Sequence, residues 1–114
     1  MNAIFRTRGE LPLRTDIPGA EYWSVALERA MLSYFEVAPH TRFERHAHES
    51  EQITLVLEGT LFFELEDRVY SVTAGDVIAL PAHVPHAVYT TALPAKAVDA
   101  WSPVPARYRE GDAH

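Results

Sequence analysis

With 114 residues the chain has room for one domain and excludes a second catalytic one, since typical domains run roughly 100–150 residues. Its 47% hydrophobic and 23% charged residues exclude the polar bias of disordered segments, and a formal net charge of -6 with only 10 Lys and Arg excludes nucleic-acid binding driven by counterion release. The absence of cysteine excludes disulfides, thiolate nucleophiles and sulfur ligands, so any metal must be held by nitrogen and oxygen.

Up to Glu10 the chain alternates Arg with apolar residues instead of following a basic tip with an apolar run, and no later segment holds about 18 consecutive apolar residues. A soluble, cytoplasmic protein without a membrane partner is expected. Residues 8–19 carry Pro12, Pro18 and two glycines, so residues 1–20 are expected to form an irregular arm with at most one short strand. In residues 21–38 the positions Tyr22, Val25, Ala26, Met31, Leu32 and Phe35 would also fit a helical stripe. The density of aromatic and β-branched residues and the stop at Pro39 favour two strands instead, over 22–27 and 30–37.

From residue 41 onward short runs of β-branched and aromatic residues alternate with turn residues, which predicts an antiparallel all-β fold with strands over 41–46, 52–57, 60–66, 68–72, 76–80, 86–91 and 95–102. Glu58-Gly59 and Gly75-Asp76 are expected to close tight hairpins, because Gly reaches φ > 0 at little steric cost. Leu61, Phe63 and Leu65 share one face while Glu64 and Glu66 take the other. The run 76–80 is apolar on both faces after Asp76, so it is expected to be covered on both sides. The single domain is predicted to have its barrel over 21–104 and a tail over 105–114 whose end frays.

Three of the six histidines stand in suggestive places. His46 and His48 are one residue apart, and on an extended strand their side chains leave the same face about 7 Å apart. Such a pair alone is often a surface accident. Gln52 follows after three residues, a length suited to a bend that returns its carbonyl oxygen to the same point. His86 comes just after Pro81 and Pro85, which restrict its approach.

His46, His48, Gln52, an apolar strand, Gly59, Gly75, Pro81 and His86 in that order resemble the two-part motif of the cupin superfamily, over roughly residues 40–102. The resemblance implies a double-stranded β-helix (jelly-roll) barrel with one divalent transition metal inside, held by His46, His48 and Gln52 from the first motif and His86 from the second. Position 52 is commonly Glu in this motif, and Gly often stands where this chain has His83. Four neutral ligands would leave the ion its full charge and strengthen its polarising power; Zn, Mn, Fe, Ni and Co all suit such a set. His83 is expected to be a turn residue near the barrel mouth. His40 and His114 have no partner in the pattern, and Glu49 and Glu51 are expected to be solvated or to orient an imidazole.

Asp99 and Trp101 share one face of the last long strand, and Pro103, Pro105 and Arg107 follow. Two interpretations stand side by side: both residues look towards the metal, or Asp99 pairs with a nearby Arg and Trp101 is core. The chain is similar to the small single-domain cupins of pectin and alginate breakdown that linearise 4,5-unsaturated uronates. The similarity lies in Gln52, Val56-Leu57-Glu58-Gly59, Ala74-Gly75-Asp76, Val84-Pro85-His86, and Asp99 with Trp101, Ser102 and Pro103. It implies an acid/base role for Asp99, a sugar-facing wall at Trp101 and a partner for the uronate carboxylate at Arg107. The family usually has Phe at the place of Trp101, and its arginine follows the proline more closely. An Fe-dependent dioxygenase and a non-catalytic ligand-sensing or storage module are the alternatives. A homodimer acting on a small-molecule substrate is expected, paired through sheet edges or exchanged N-terminal strands.

Overall fold

Alternation of buried and exposed side chains sorts the strands into two antiparallel sheets in a computed structural model that describes residues 2–106. The strands in chain order are β1 (Arg14–Ile17), β2 (Ala20–Ala26), β3 (Met31–Val37), β4 (Arg42–His46), β5 (Glu51–Glu58), β6 (Thr60–Glu64), β7 (Val69–Thr73), β8 (Val77–Leu80), β9 (His86–Tyr89) and β10 (Ala95–Ser102). One sheet has six strands in the order β1-β2-β3-β10-β5-β8; the other has four, β4-β9-β6-β7. On β5 the inner face is Gln52, Thr54 and Val56, all buried, while Glu51, Ile53 and Leu57 are exposed.

The inner faces meet in one core. Val37, Val56, Leu80 and Ala97 from the six-stranded sheet pack with Leu61, Phe63 and Val72 from the four-stranded sheet. A second cluster at one end joins Tyr22, Met31 and Val104 with Trp101 against it. The double-layered all-β barrel expected from the sequence is the observed architecture, and the arm contains one short strand, β1, paired with β2. Among the described residues no helix is long and apolar enough to cross a membrane.

Three expectations are corrected. Gly59 does not close a hairpin, because β5 and β6 lie in different sheets and the chain crosses between them there. Gly59 has φ 73°, and an added Cβ would run into the Pro94 carbonyl and the Ala95 backbone. Gly75-Asp76 likewise carries the chain from β7 across to β8. A sheet-crossing corner and a hairpin turn both recruit glycine at φ > 0, so the local residues look alike. The true hairpins include the one joining β2 to β3, where Leu27 N–H bonds to the Ala30 carbonyl at 2.9 Å, and the one joining β6 to β7, where Leu65 N–H bonds to that of Arg68 at 2.9 Å. Residues 76–80 are not covered on both sides either: β8 is the edge of the six-stranded sheet, and Val77 is 59% exposed. Its apolar outer residues continue an apolar outer face instead of marking a second buried layer.

Candidate metal centre

β4 and β9 are neighbours, with Phe43 opposite Val88 and His46 opposite His86. Three steps along β4 therefore match two along β9, so one extra residue bulges out of the ladder. The bulge turns His46 inward, onto the same cavity wall as Phe43, although simple alternation would send them to opposite faces. β4 stops at His46, so His48 does not share a strand face with it as expected; the connection to β5 delivers its imidazole. That connection is tied down by His83, whose N–H bonds to the His48 carbonyl at 2.8 Å. His83 itself is exposed, with φ 66°, which accounts for the glycine common at this position and agrees with a turn role. His40 is likewise a turn residue, with φ 52°.

The imidazoles of His46, His48 and His86 converge, with ring centroids 5.4, 4.5 and 5.0 Å apart for the pairs 46/48, 46/86 and 48/86. One ligand atom from each lies within 4.8 Å of the others, so the three could hold a metal ion. Their protonation fits that use. Nδ1 of His46, His48 and His86 lies 2.8, 2.8 and 2.9 Å from the carbonyls of Glu44, Ser50 and Val84. A carbonyl only accepts, so each Nδ1 carries the hydrogen and each neutral ring keeps its lone pair on Nε2. Bonds of this kind fix tautomer and ring orientation in metal-ligating histidines. Burial, followed by the neighbouring His46 and His48, lowers the pKa of His86 against the opposing pull of the Val84 carbonyl, which favours the neutral, ligating form. His86 is buried while His46 is exposed, so the cluster opens to solvent on the His46 side.

Gln52 is buried beside the cluster, with Oε1 3.1 Å from His48 Nε2. Its amide nitrogen donates to Thr54 Oγ1 at 3.0 Å, and the Thr54 hydroxyl donates to Asp99 Oδ1 at 2.5 Å. Asp99 is buried, and desolvation pushes its pKa up to about 7 even though the Thr54 bond pulls it down. Asp99 thus takes a threonine partner rather than an arginine. Trp101 combines both expected placements: it lines the cavity, 5.4 Å from the His48 ring, and also packs on the Tyr22 cluster, with its N–H donating to Ser33 Oγ at 2.7 Å. Arg107 lies outside the described residues, as does His114.

His46, His86, Gln52, Asp99 and Trp101 close one part of a cavity of about 170 Å³ whose remaining wall is apolar, with Phe35, Phe43, Leu61 and Phe63. Such a space takes a small molecule, held by few polar groups. Sequence reasoning missed Thr54 as part of the site. The signal was present, since Gln52 and Thr54 are polar at alternate positions on a strand otherwise apolar to Leu57.

The family model described as "Cupin domain" matches residues 33–101. No curated protein matches. Among solved structures, the chain resembles an RmlC-like cupin from Shewanella frigidimarina, 19% identical, with a TM-score of 0.85 over 94% of this chain and 96% of that one. KdgF from a Halomonas species is 23% identical, with a TM-score of 0.85 over 94% of this chain and 99% of that one. The polyketide cyclase RemF from Streptomyces resistomycificus is 25% identical, with a TM-score of 0.75 over 90% of this chain and 80% of that one.

Proposed function

The chain belongs to the cupin domain family, and from that premise we propose that it is a metal-dependent enzyme acting on a small anionic, sugar-like metabolite, by ring opening or tautomerisation of an unsaturated uronate. The observation that carries this proposal is Asp99: a buried carboxyl with its pKa pushed up to about 7, in the wall of the cavity that His46 and His86 also line. A carboxyl poised there takes up and returns a proton near neutral pH with little driving force lost either way.

His46, His48, His86 and Gln52 would hold one divalent transition metal ion, which when bound supplies a Lewis acid for substrate oxygens. Asp99 moves the proton. The Trp101 indole offers a flat wall to a sugar ring, and Arg107 pairs with the substrate carboxylate. The uronate itself is supported by the motif resemblance at Gln52, Val84-Pro85-His86 and the Asp99 segment. Incubating metal-loaded protein with unsaturated galacturonate should raise the rate of linear keto-acid formation; a rate equal to that without protein sinks the substrate assignment. Activity with Zn in the absence of oxygen excludes the Fe-dependent dioxygenase, which would draw on the same histidines. Asp99→Asn should bind ligand while turnover falls at least about 100-fold; unchanged ligand binding by a parent protein that itself turns nothing over favours the sensing or storage module.

The proposal includes a cytoplasmic homodimer. The outer face of the six-stranded sheet carries an apolar row, Trp23, Tyr34, Val98, Leu55 and Val77, in register across five strands. A second row runs beside it from Val25 to Ala79, with Leu32 45% and Ile53 51% exposed. Five strands make this face roughly 20 Å across. At its β2 side the arm contributes Arg6 beside Trp23, and Arg8 lies close enough to Tyr34 to act on it electrostatically. Next to the edge strand β8, β5 begins and ends with the exposed carboxylates Glu51 and Glu58, the latter 3.6 Å from Lys96 Nζ. A twofold axis through the sheet would lay the apolar rows of two copies against each other and bring Arg6 and Arg8 of one near Glu51 of the other, which favours a second copy as the occupant.

A further inference from the structure

The contact between Gln52 Oε1 and His48 Nε2, at 3.1 Å, pairs two acceptors. His48 has its hydrogen on Nδ1, against the Ser50 carbonyl, so its Nε2 is a bare lone pair. An amide carbonyl aimed at that lone pair is unfavourable unless a cation lies against both. The opposite orientation, with the Gln52 NH2 donating to Nε2, would make a good hydrogen bond and would place a donor where a ligand oxygen is needed. The side chain holds the orientation that serves a cation, and the cause lies at the far end of the chain of bonds.

We infer that Thr54 is a positioning residue that fixes which end of the Gln52 amide faces the histidines. At pH 8, where Asp99 is ionised, its carboxylate only accepts, so the one hydroxyl hydrogen of Thr54 goes to Asp99 Oδ1, at 2.5 Å. The hydroxyl oxygen then has only lone pairs left, and these require a donor. Gln52 supplies its NH2 at 3.0 Å and is left with Oε1 towards the imidazoles. Carboxylate, hydroxyl and amide thus form a polarised series in which each group dictates the orientation of the next. Thr54 is 1% exposed, so no water replaces its hydroxyl at low cost. The inference rests on Gln52 being a ligand, as proposed above. It adds that the departure from Glu at position 52 created a need that Glu does not have, because a carboxylate presents an acceptor whichever way it turns.

The test is Zn(II) affinity at pH 8, read by competition with a fluorescent chelator, which depends on no substrate. Thr54→Val keeps the shape and removes the hydroxyl; affinity should fall about 10–100-fold, the range for loss of a group that orients a ligand. Thr54→Ser restores the hydroxyl and should return affinity to within about 3-fold of the parent. The deciding comparison is made in a Gln52→Glu background, where adding Thr54→Val should change affinity less than about 3-fold, since there is no amide left to orient. An equal loss in both backgrounds, or no loss in either, overturns the inference. Gln52→Ala separates the premise from the inference. Unchanged Zn(II) affinity in that variant removes Gln52 as a ligand and the inference with it, whereas weakened affinity alongside an unaffected Thr54→Val overturns the role of Thr54 alone. Thermal melts of the metal-free variants establish that each is folded. Should Thr54→Val fail to fold, Thr54→Ala is read in its place, in the parent and in the Gln52→Glu background, with the same outcomes for and against.

Discussion

Each of the three imidazoles spends its Nδ1 hydrogen on a backbone carbonyl, so the ligating state is prepared before an ion arrives. Protons are then the ion's direct competitors. Metal content should fall as pH drops through the imidazole range, below about 6, and elemental analysis after gel filtration at stepped pH checks this; content that holds constant to pH 4 contradicts it. Asp99 runs with the opposite sign. Its pKa is raised from 3.8 to about 7 by burial, so the folded state holds a proton that the unfolded state has released across that interval. Stability therefore declines as pH rises from about 4 to about 7, by an amount on the order of a few kcal/mol. Metal-free Asp99→Asn should melt higher than its parent at pH 8 and close to it at pH 4; coincident melting at pH 8 speaks against the shift. His46, His48 and His86 were legible in the sequence because spacing and motif order name them, whereas Asp99 and Trp101 were assigned to the site only through the family resemblance. Thr54 was passed over although it shares a strand face with Gln52, because that alternation does not say which group its hydroxyl meets.

At the scale of elements, the strands were legible from alternation and residue type, from β2 through to β10, whose bounds match the prediction. Pairing was not. Gly59 and Gly75 announce a turn without saying whether the chain folds back or crosses to the facing sheet, and that choice depends on partners distant in sequence. The bulge in β4 was also invisible, since nothing in Glu44-Arg45 distinguishes an extra residue from a regular one. The crossing at Gly59 leads to a clear expectation. Gly59→Ala must hold a left-handed backbone, at about 1–2 kcal/mol, and must also move the Pro94 carbonyl off its new Cβ. Urea denaturation should show at least that loss, whereas Gly75→Ala, with open space around its Cβ, should lose only the backbone part. Equal losses at the two positions contradict the close approach.

For the whole molecule, the outer face of the six-stranded sheet explains why β8 misled: Val77 and Ala79 are apolar because they extend two apolar rows of that face, which Ile4 and Phe5 of the arm border at its β2 side. If a second copy covers that face, Ile53→Glu places a charge at its middle, and sedimentation should show a monomer where the parent is a dimer. Circular dichroism should be unchanged, since Ile53 is 51% exposed within one chain. A parent that sediments as a monomer rejects the pairing outright.

His46 faces His86 across a strand pair, and the backbone of His83 clasps that of His48, so the centre is shared between two stretches about forty residues apart. A ribosome that has released only the first two histidines has produced no centre at all. If the centre takes an ion as proposed, its full set of ligands assembles only once β9 has left the exit tunnel and docked, which would make complete coordination a late event in biogenesis.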